Sequence, residues 1–165
     1  MHSESAELAR RFEQTAAAAE AEIAAIPDSR WGAICPAEGW PVGVTACHIA
    51  EGSRFIAGAI QRTAGLSEVD PLGGEDINTI NARHAGEHAT VEKAQVLALH
   101  RENVAYLAGI IRALTAEQLE RTRELAPGRP ALTARELIER AANGHIENHL
   151  QSIRSALHQG ATTAR

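Results

Sequence analysis

The sequence predicts an all-α protein built as a four-helix bundle. Apolar residues recur at intervals of three and four along most of the chain, and no segment shows the sustained two-residue alternation of a half-buried strand. Prolines, glycines and helix-capping sequences interrupt this pattern at well-separated points. A chain of 165 residues suits one domain, which we expect to span residues 1–160, with a frayed tail at residues 161–165.

The first two helices have clear limits. Apolar side chains on one face predict a helix over residues 5–26, and Pro27 ends the pattern. Residues 29–39 lack helical periodicity and predict a loop. A second helix is predicted over residues 41–63, because it begins with a proline, which the first helical turn accepts. The breakers Asp-Pro and Gly-Gly mark residues 64–74 as a second loop.

The third helix is predicted to be long and kinked. Helical periodicity begins near Glu75 and continues to Leu114. Thr90 is a residue type that caps helix N-termini, so we expect the kink near this position.

Two capping boxes define the end of the chain. Thr115-Ala-Glu-Gln118 and Thr133-Ala-Arg-Glu136 both allow reciprocal hydrogen bonds at a helix N-terminus. The first predicts a short turn, and the second predicts a last helix over residues 134–158. Gly160 is available as its C-terminal stop.

Composition excludes several classes of function. The net charge is −5 with acids and bases interleaved, which argues against a nucleic-acid partner. Charged residues interrupt the alanine-rich N-terminus, so we expect neither a signal peptide nor a membrane span. Cys35 and Cys47 fit neither a disulfide framework nor a thiolate zinc knuckle. These features together predict a soluble cytoplasmic protein.

Three histidines predict a metal site. His145 and His149 lie four residues apart in Gly-His-Ile-Glu-Asn-His, so a helix directs both towards one point. His48 lies on the core-facing line of the second helix, one turn before the small residue Gly52. Three imidazoles would leave a divalent metal an open position. The alternative for each is an ordinary hydrogen-bonded core histidine.

A second histidine pair lies on the third helix. His84 and His88 share a face with Asn81, so these residues either line the same cavity or cover the rim of the bundle. Arg83 is a candidate for binding a substrate carboxylate, although its angular position also fits a solvated side chain. Glu51, one turn from His48, either orients an imidazole or faces solvent.

Two further residues are predicted to take no part in the metal site or its reaction. Glu147 points away from the histidine pair, which excludes the His-Glu-x-x-His arrangement of metalloproteases. Cys47 points sideways from the predicted site, and we expect a buried, inert thiol rather than a nucleophile.

The chain resembles the DinB-like metalloproteins, whose relatives include thiol-dependent transferases and the metal-binding domain of mycothiol-dependent maleylpyruvate isomerase. The resemblance is carried by Trp40-Pro41-Val42 leading into His48, by Asn78 and Asn81, and by His145-x-x-x-His149. It implies that the three histidines bind one divalent metal, usually zinc or nickel, in a four-helix bundle that often dimerises. A homodimer is therefore expected.

Three functions remain open from the sequence. A metal with an open position can activate a low-molecular-weight thiol for transfer to a small-molecule substrate, as the resemblance implies. The same site can activate water for hydrolysis of a small amide or ester. The third alternative is a metal-binding or dimerising module without turnover, because no general base is evident on an inward face.

Overall fold

The four-helix bundle predicted from the sequence is confirmed by a computed structural model that describes residues 3–159. Helices α1, α2, α4 and α7 pack against one another as the bundle, and α3 lies against α2. Within the described residues the α-helices run in the order α1 (Glu4–Ala25), α2 (Val42–Thr63), α3 (Ile77–Glu87), α4 (Lys93–Ala113), α5 (Ala116–Glu120), α6 (Ala134–Glu136) and α7 (Asn143–Gln159).

Side-chain caps begin several of these helices. Ser3 accepts a hydrogen bond from the Ala6 backbone N–H at 3.2 Å and thereby caps α1. Both predicted capping boxes are present: Thr115 pairs with Gln118 at the start of α5, and Thr133 pairs with Glu136 at the start of α6.

The predicted kink in the third helix is a complete break. Helix α3 ends at Glu87, and α4 begins at Lys93 after an intervening turn. The cap of α4 is Glu92 rather than Thr90, because Glu92 and Gln95 form a reciprocal capping box. The cap predicted at Thr90 is therefore wrong, and a carboxylate two residues later takes its place.

The last helix contains an unpredicted π-helical turn. Residues Leu137–Ala142 form this π-turn between α6 and α7. The Asn143 side-chain amide donates to the Ile138 carbonyl oxygen at 3.4 Å. A π-helical turn contains an extra residue, so it rotates the helix that follows, and such turns are frequent at functional sites. The π-turn lies directly before the helix that carries His145.

The core lies along the bundle axis and is largely aliphatic. Two buried polar links cross it: His100 Nε2 donates to the Ala16 carbonyl at 3.0 Å, and Asn103 Nδ2 donates to the Ala50 carbonyl at 3.0 Å. Buried hydrogen bonds of this kind fix how neighbouring helices pack. The largest fully buried apolar side chains include Phe12, Ile23, Ile49, Ile60, Leu107 and Ile111.

A short hairpin joins α5 to α6. Strands β1 (Thr122–Arg123) and β2 (Leu132–Thr133) pair antiparallel, with Thr122 opposite Thr133. Among the described helices, none combines the length and the apolar character needed to span a bilayer. The predicted stop at Gly160 and the predicted tail at residues 161–165 lie outside the described residues.

Candidate metal centre

The structure brings His48, His145 and His149 together between α2 and α7. The ring centroid of His48 lies 4.9 Å from that of His145 and 4.7 Å from that of His149. The centroids of His145 and His149 are 4.6 Å apart. One ring nitrogen from each residue lies within 4.8 Å of the other two. The three predicted ligands thus form one convergent cluster.

Gly52 makes room for this cluster. A Cβ atom built on Gly52 would overlap the imidazole of His145, at 2.7 Å from Nδ1 and 2.9 Å from Nε2. The space beside this small residue holds His145 itself. Only glycine allows α2 to approach this ring so closely.

Two of the clustered imidazoles are held neutral. Burial, together with the neighbouring His149, lowers the pKa of His145 to about 3. Burial, followed by His149 and His84, lowers the pKa of His48 to about 4. A neutral imidazole keeps a lone pair for a metal. Nδ1 of His145 is buried without a hydrogen-bond partner, as expected for a nitrogen that binds an ion. The donor set therefore fits a divalent metal.

Glu38 orients the third imidazole and was missed by the sequence analysis. Nδ1 of His149 donates to Glu38 Oε1 at 2.7 Å, which leaves Nε2 as the nitrogen with a free lone pair. The Ser152 hydroxyl donates to Glu38 Oε2 at 2.5 Å, and the Ala37 backbone N–H donates to the Ser152 hydroxyl at 3.3 Å. The loop before α2 is thereby fixed to α7.

Trp40 covers one side of the cluster. Its ring centroid lies 5.4 Å from that of His48 and 5.6 Å from that of His84. The Cys35 backbone N–H donates to the Trp40 carbonyl at 2.8 Å, which holds the loop in this position. An indole at this distance shields the His48 imidazole from bulk water, and such burial lowers its pKa.

His84 and His88 bind Glu51, not the histidine cluster. His84 Nδ1 and His88 Nε2 lie 2.8 Å and 3.0 Å from the two carboxylate oxygens of Glu51. His84 Nε2 lies 3.2 Å from the Val44 carbonyl oxygen, so acceptors face both of its ring nitrogens. His84 therefore lines the site instead of joining the cluster, and its ring centroid lies 5.1 Å from that of His48. Glu51 orients the pair on α3 instead of a clustered imidazole, because its side chain extends towards α3.

The two other pocket candidates on α3 differ in position. Asn81 lines the cavity beside the cluster, and its Oδ1 is buried without a hydrogen-bond partner. Arg83 does not line this cavity, and its guanidinium donates to Glu75 at 2.6 Å on the exposed side of α3. The helix rotation that turns Asn81 and His84 inward turns Arg83 outward.

The residues predicted to stand apart from the chemistry do so. Glu147 is exposed and accepts from Arg154 at 2.6 Å. Cys47 is a buried free thiol, and burial with the nearby Glu51 raises its pKa to about 12. Donor atoms of Cys47, Glu51 and His88 also lie within 4.8 Å of one another, but Glu51 already pairs with both α3 histidines. This second group is less suited to a metal than the histidine cluster.

A cavity of about 480 Å³ opens beside the cluster. A larger cavity of about 720 Å³ is lined by His88 but by none of the three clustered histidines. In its wall, Lys93 pairs with Asp28 at 2.5 Å. The smaller cavity is therefore the candidate substrate site. It is lined by His48, Glu51, Gly52, Phe55, Ile56, Ile77, Ile80, Asn81, His84, Arg140, Ala141, Gly144, His145 and Asn148.

Comparison with known proteins agrees with this architecture. The chain superposes on a crystal structure of a histidine-to-alanine mutant of mycothiol-dependent maleylpyruvate isomerase with a TM-score of 0.72 and 15% sequence identity. The match covers 91% of this chain and 59% of that protein, so the present chain spans well under two thirds of its length. No curated protein sequence matches the chain significantly. The DinB superfamily model matches residues 6–153, and the chain therefore belongs to the DinB superfamily.

Proposed function

We propose that the chain binds a divalent metal ion, zinc or nickel, through His48, His145 and His149, and uses it to transfer a low-molecular-weight thiol to a small electrophilic substrate. The observation that carries this proposal is the convergence of three imidazoles, two of which, His48 and His145, line a cavity of about 480 Å³. The solved relative is named as mycothiol-dependent, which supports a thiol as the cosubstrate.

The side chains around the cluster have distinct tasks in this proposal. When bound, the metal would supply a Lewis acid that favours the ionised form of a thiol. Glu38 holds the Nδ1 proton of His149 and so fixes the orientation of that ring. Trp40 limits access of water at His48, while the cavity, which Trp40 does not line, admits the substrate.

Thiol transfer suits the site better than hydrolysis because the cavity offers no free base among its described residues. Both nitrogens of His84 face acceptors, and the Glu51 carboxylate is engaged by two imidazoles. A thiol loses its proton readily near a metal, whereas water attack on an amide benefits from a positioned base. Hydrolysis and metal binding without turnover remain as outcomes of the experiment.

The test compares metal-loaded with metal-free protein. Glutathione, mycothiol and bacillithiol are each supplied with a chromogenic aryl halide, and separately with amide and ester substrates. We expect metal-dependent thiol transfer by the wild-type chain and its loss in His145→Ala. His158→Ala, an exposed histidine of the same helix, is the matched control. Metal-dependent hydrolysis without thiol would contradict the proposal, and inactivity in every assay would favour a binding module.

We also propose a cytoplasmic homodimer. The family resemblance supports the dimer, and two free cysteines, Cys35 and Cys47, are compatible with a reducing compartment. Sedimentation velocity of the full chain tests the dimer, and a single species with the mass of one chain would exclude it.

A further inference from the structure

The cavity beside the histidine cluster presents an almost uncharged wall to a ligand. Its only carboxylate, on Glu51, is paired with His84 and His88. Among the described lining residues the one guanidinium, on Arg140, is largely exposed to solvent and is paired with Glu136 at 3.1 Å. A charged ligand body would therefore lose its water here without gaining an unpaired partner.

Apolar side chains are the largest group in the remaining wall, beside three histidines, two glycines and two asparagines. They come from the part of α2 that lies after His48 in sequence, from the start of α3 and from the π-turn. Amides are present at only two positions, Asn81 and Asn148. The apolar members are Phe55, Ile56, Ile77, Ile80 and Ala141.

A second, largely apolar cavity adjoins the first. It has a volume of about 510 Å³, and Phe55 and Ile77 line both cavities. The loop before α3 and the segment between β1 and β2 provide most of its wall. Its lining is apolar except for the exposed Arg129 and includes Ala59, Leu72, Leu125, Pro130 and Leu132. The two cavities thus lie side by side along Phe55 and Ile77 and offer a largely apolar path that starts at His145.

We propose that the substrate accepted by this site is an aliphatic chain compound with its reactive group at one end. This inference rests on the proposed function and names its substrate class. The reactive end lies at the three histidines, and the chain runs over Phe55 and Ile77 into the outer cavity. Glutathione, mycothiol and bacillithiol carry sugar or peptide groups, whose polar atoms an apolar path would leave unpaired. The path therefore belongs to the second substrate.

Alkyl hydroxamates probe this path without turnover, because the hydroxamate group binds divalent metals and the alkyl tail can be varied. Zinc-loaded protein is titrated calorimetrically with acetohydroxamate, butyrohydroxamate, hexanohydroxamate, octanohydroxamate and decanohydroxamate below their aggregation limits. Full burial of a methylene strengthens binding by about fourfold. A path that buries only part of each methylene predicts a gain in affinity of about twofold to threefold for each added methylene. We expect this gain to continue through octanohydroxamate.

A charge at the junction tests the direction of the chain. Ile77→Asp places a carboxylate where the cavities meet, at an exposed position next to the cap of α3, where an acidic residue suits the helix. We expect the ratio of octanohydroxamate to acetohydroxamate affinity to fall at least tenfold. Val69→Asp is the matched control, because Val69 is exposed and lines neither cavity. The ratio should not change in this control.

The outcomes separate the two proposals. If acetohydroxamate binds the zinc-loaded protein but longer tails bring no gain, the aliphatic substrate is excluded and the metal site stands. An equal loss in Ile77→Asp and Val69→Asp would also exclude the path, because the effect would then be one of general charge. If the protein holds no metal, the proposed function fails and the substrate class fails with it.

Discussion

Replacing Gly52 with alanine should displace His145 and weaken metal binding. The added Cβ would overlap the imidazole, at 2.7 Å from Nδ1, and so the ring must rotate away from the other two histidines. Disturbing the support of a metal ligand commonly lowers metal affinity by about 10-fold to 100-fold, and we expect at least this loss. Alanine also favours the helix over glycine by about 1 kcal/mol, so a fall in metal affinity would not reflect a weaker helix.

Gly58→Ala is the control for this substitution. Gly58 lies on the same helix, and a Cβ there would meet only the Pro71 Cβ at 3.3 Å. Both variants receive the same methyl group and the same gain in helix propensity. Zinc affinity is measured by competition with a chromophoric chelator, and circular dichroism verifies the fold. Wild-type affinity in Gly52→Ala, or an equal loss in both variants, would refute the assignment of His145 as a ligand held against Gly52.

Two other results follow from the site. Glu38→Gln should lower metal affinity by about 10-fold to 100-fold, because the amide orients His149 less strongly than the carboxylate does. The control Glu147→Gln should leave the metal affinity unchanged. Equal affinities in the two variants would contradict this role of Glu38. Metal-free protein should lose stability on acidification from about pH 6.5 to about pH 4. The pKa values of His48 and His145 are lowered to about 4 and about 3 in the folded protein. The unfolded chain therefore binds more protons than the folded chain in this pH range. Urea unfolding should show that the free energy of unfolding falls by an amount on the order of 3 kcal/mol over this pH range, and by less in His145→Asn. A free energy of unfolding that does not change with pH would contradict the burial of these rings.

Local sequence signals were enough to predict the helices that position the site. The boxes at Thr115 and Thr133 each involve residues three apart, so the chemistry of their helix starts is visible in a short window. Helical periodicity placed His48 on the inward face of α2 and put His145 and His149 on one face of α7. These predictions depend only on the helical repeat.

The features that the sequence did not predict depend on tertiary contacts. Glu38 lies 111 residues before His149 and reaches it from a loop without periodicity, so no local pattern identifies the pair. The π-turn has no distinctive residue spacing. Glu51 lies one turn from His48 but points to α3, and only the packing of α3 against α2 decides between these partners.

The most direct test of the metal centre is the metal content of the purified chain and of three single variants. Inductively coupled plasma mass spectrometry should find about one zinc or nickel ion per wild-type chain, because three neutral imidazoles form a dedicated site. His145→Ala and His149→Ala should lose the ion, whereas His84→Ala should keep it because Glu51 and Val44 already face both of its nitrogens. Absence of metal from the wild type, or full occupancy in His145→Ala, would contradict the three-histidine centre.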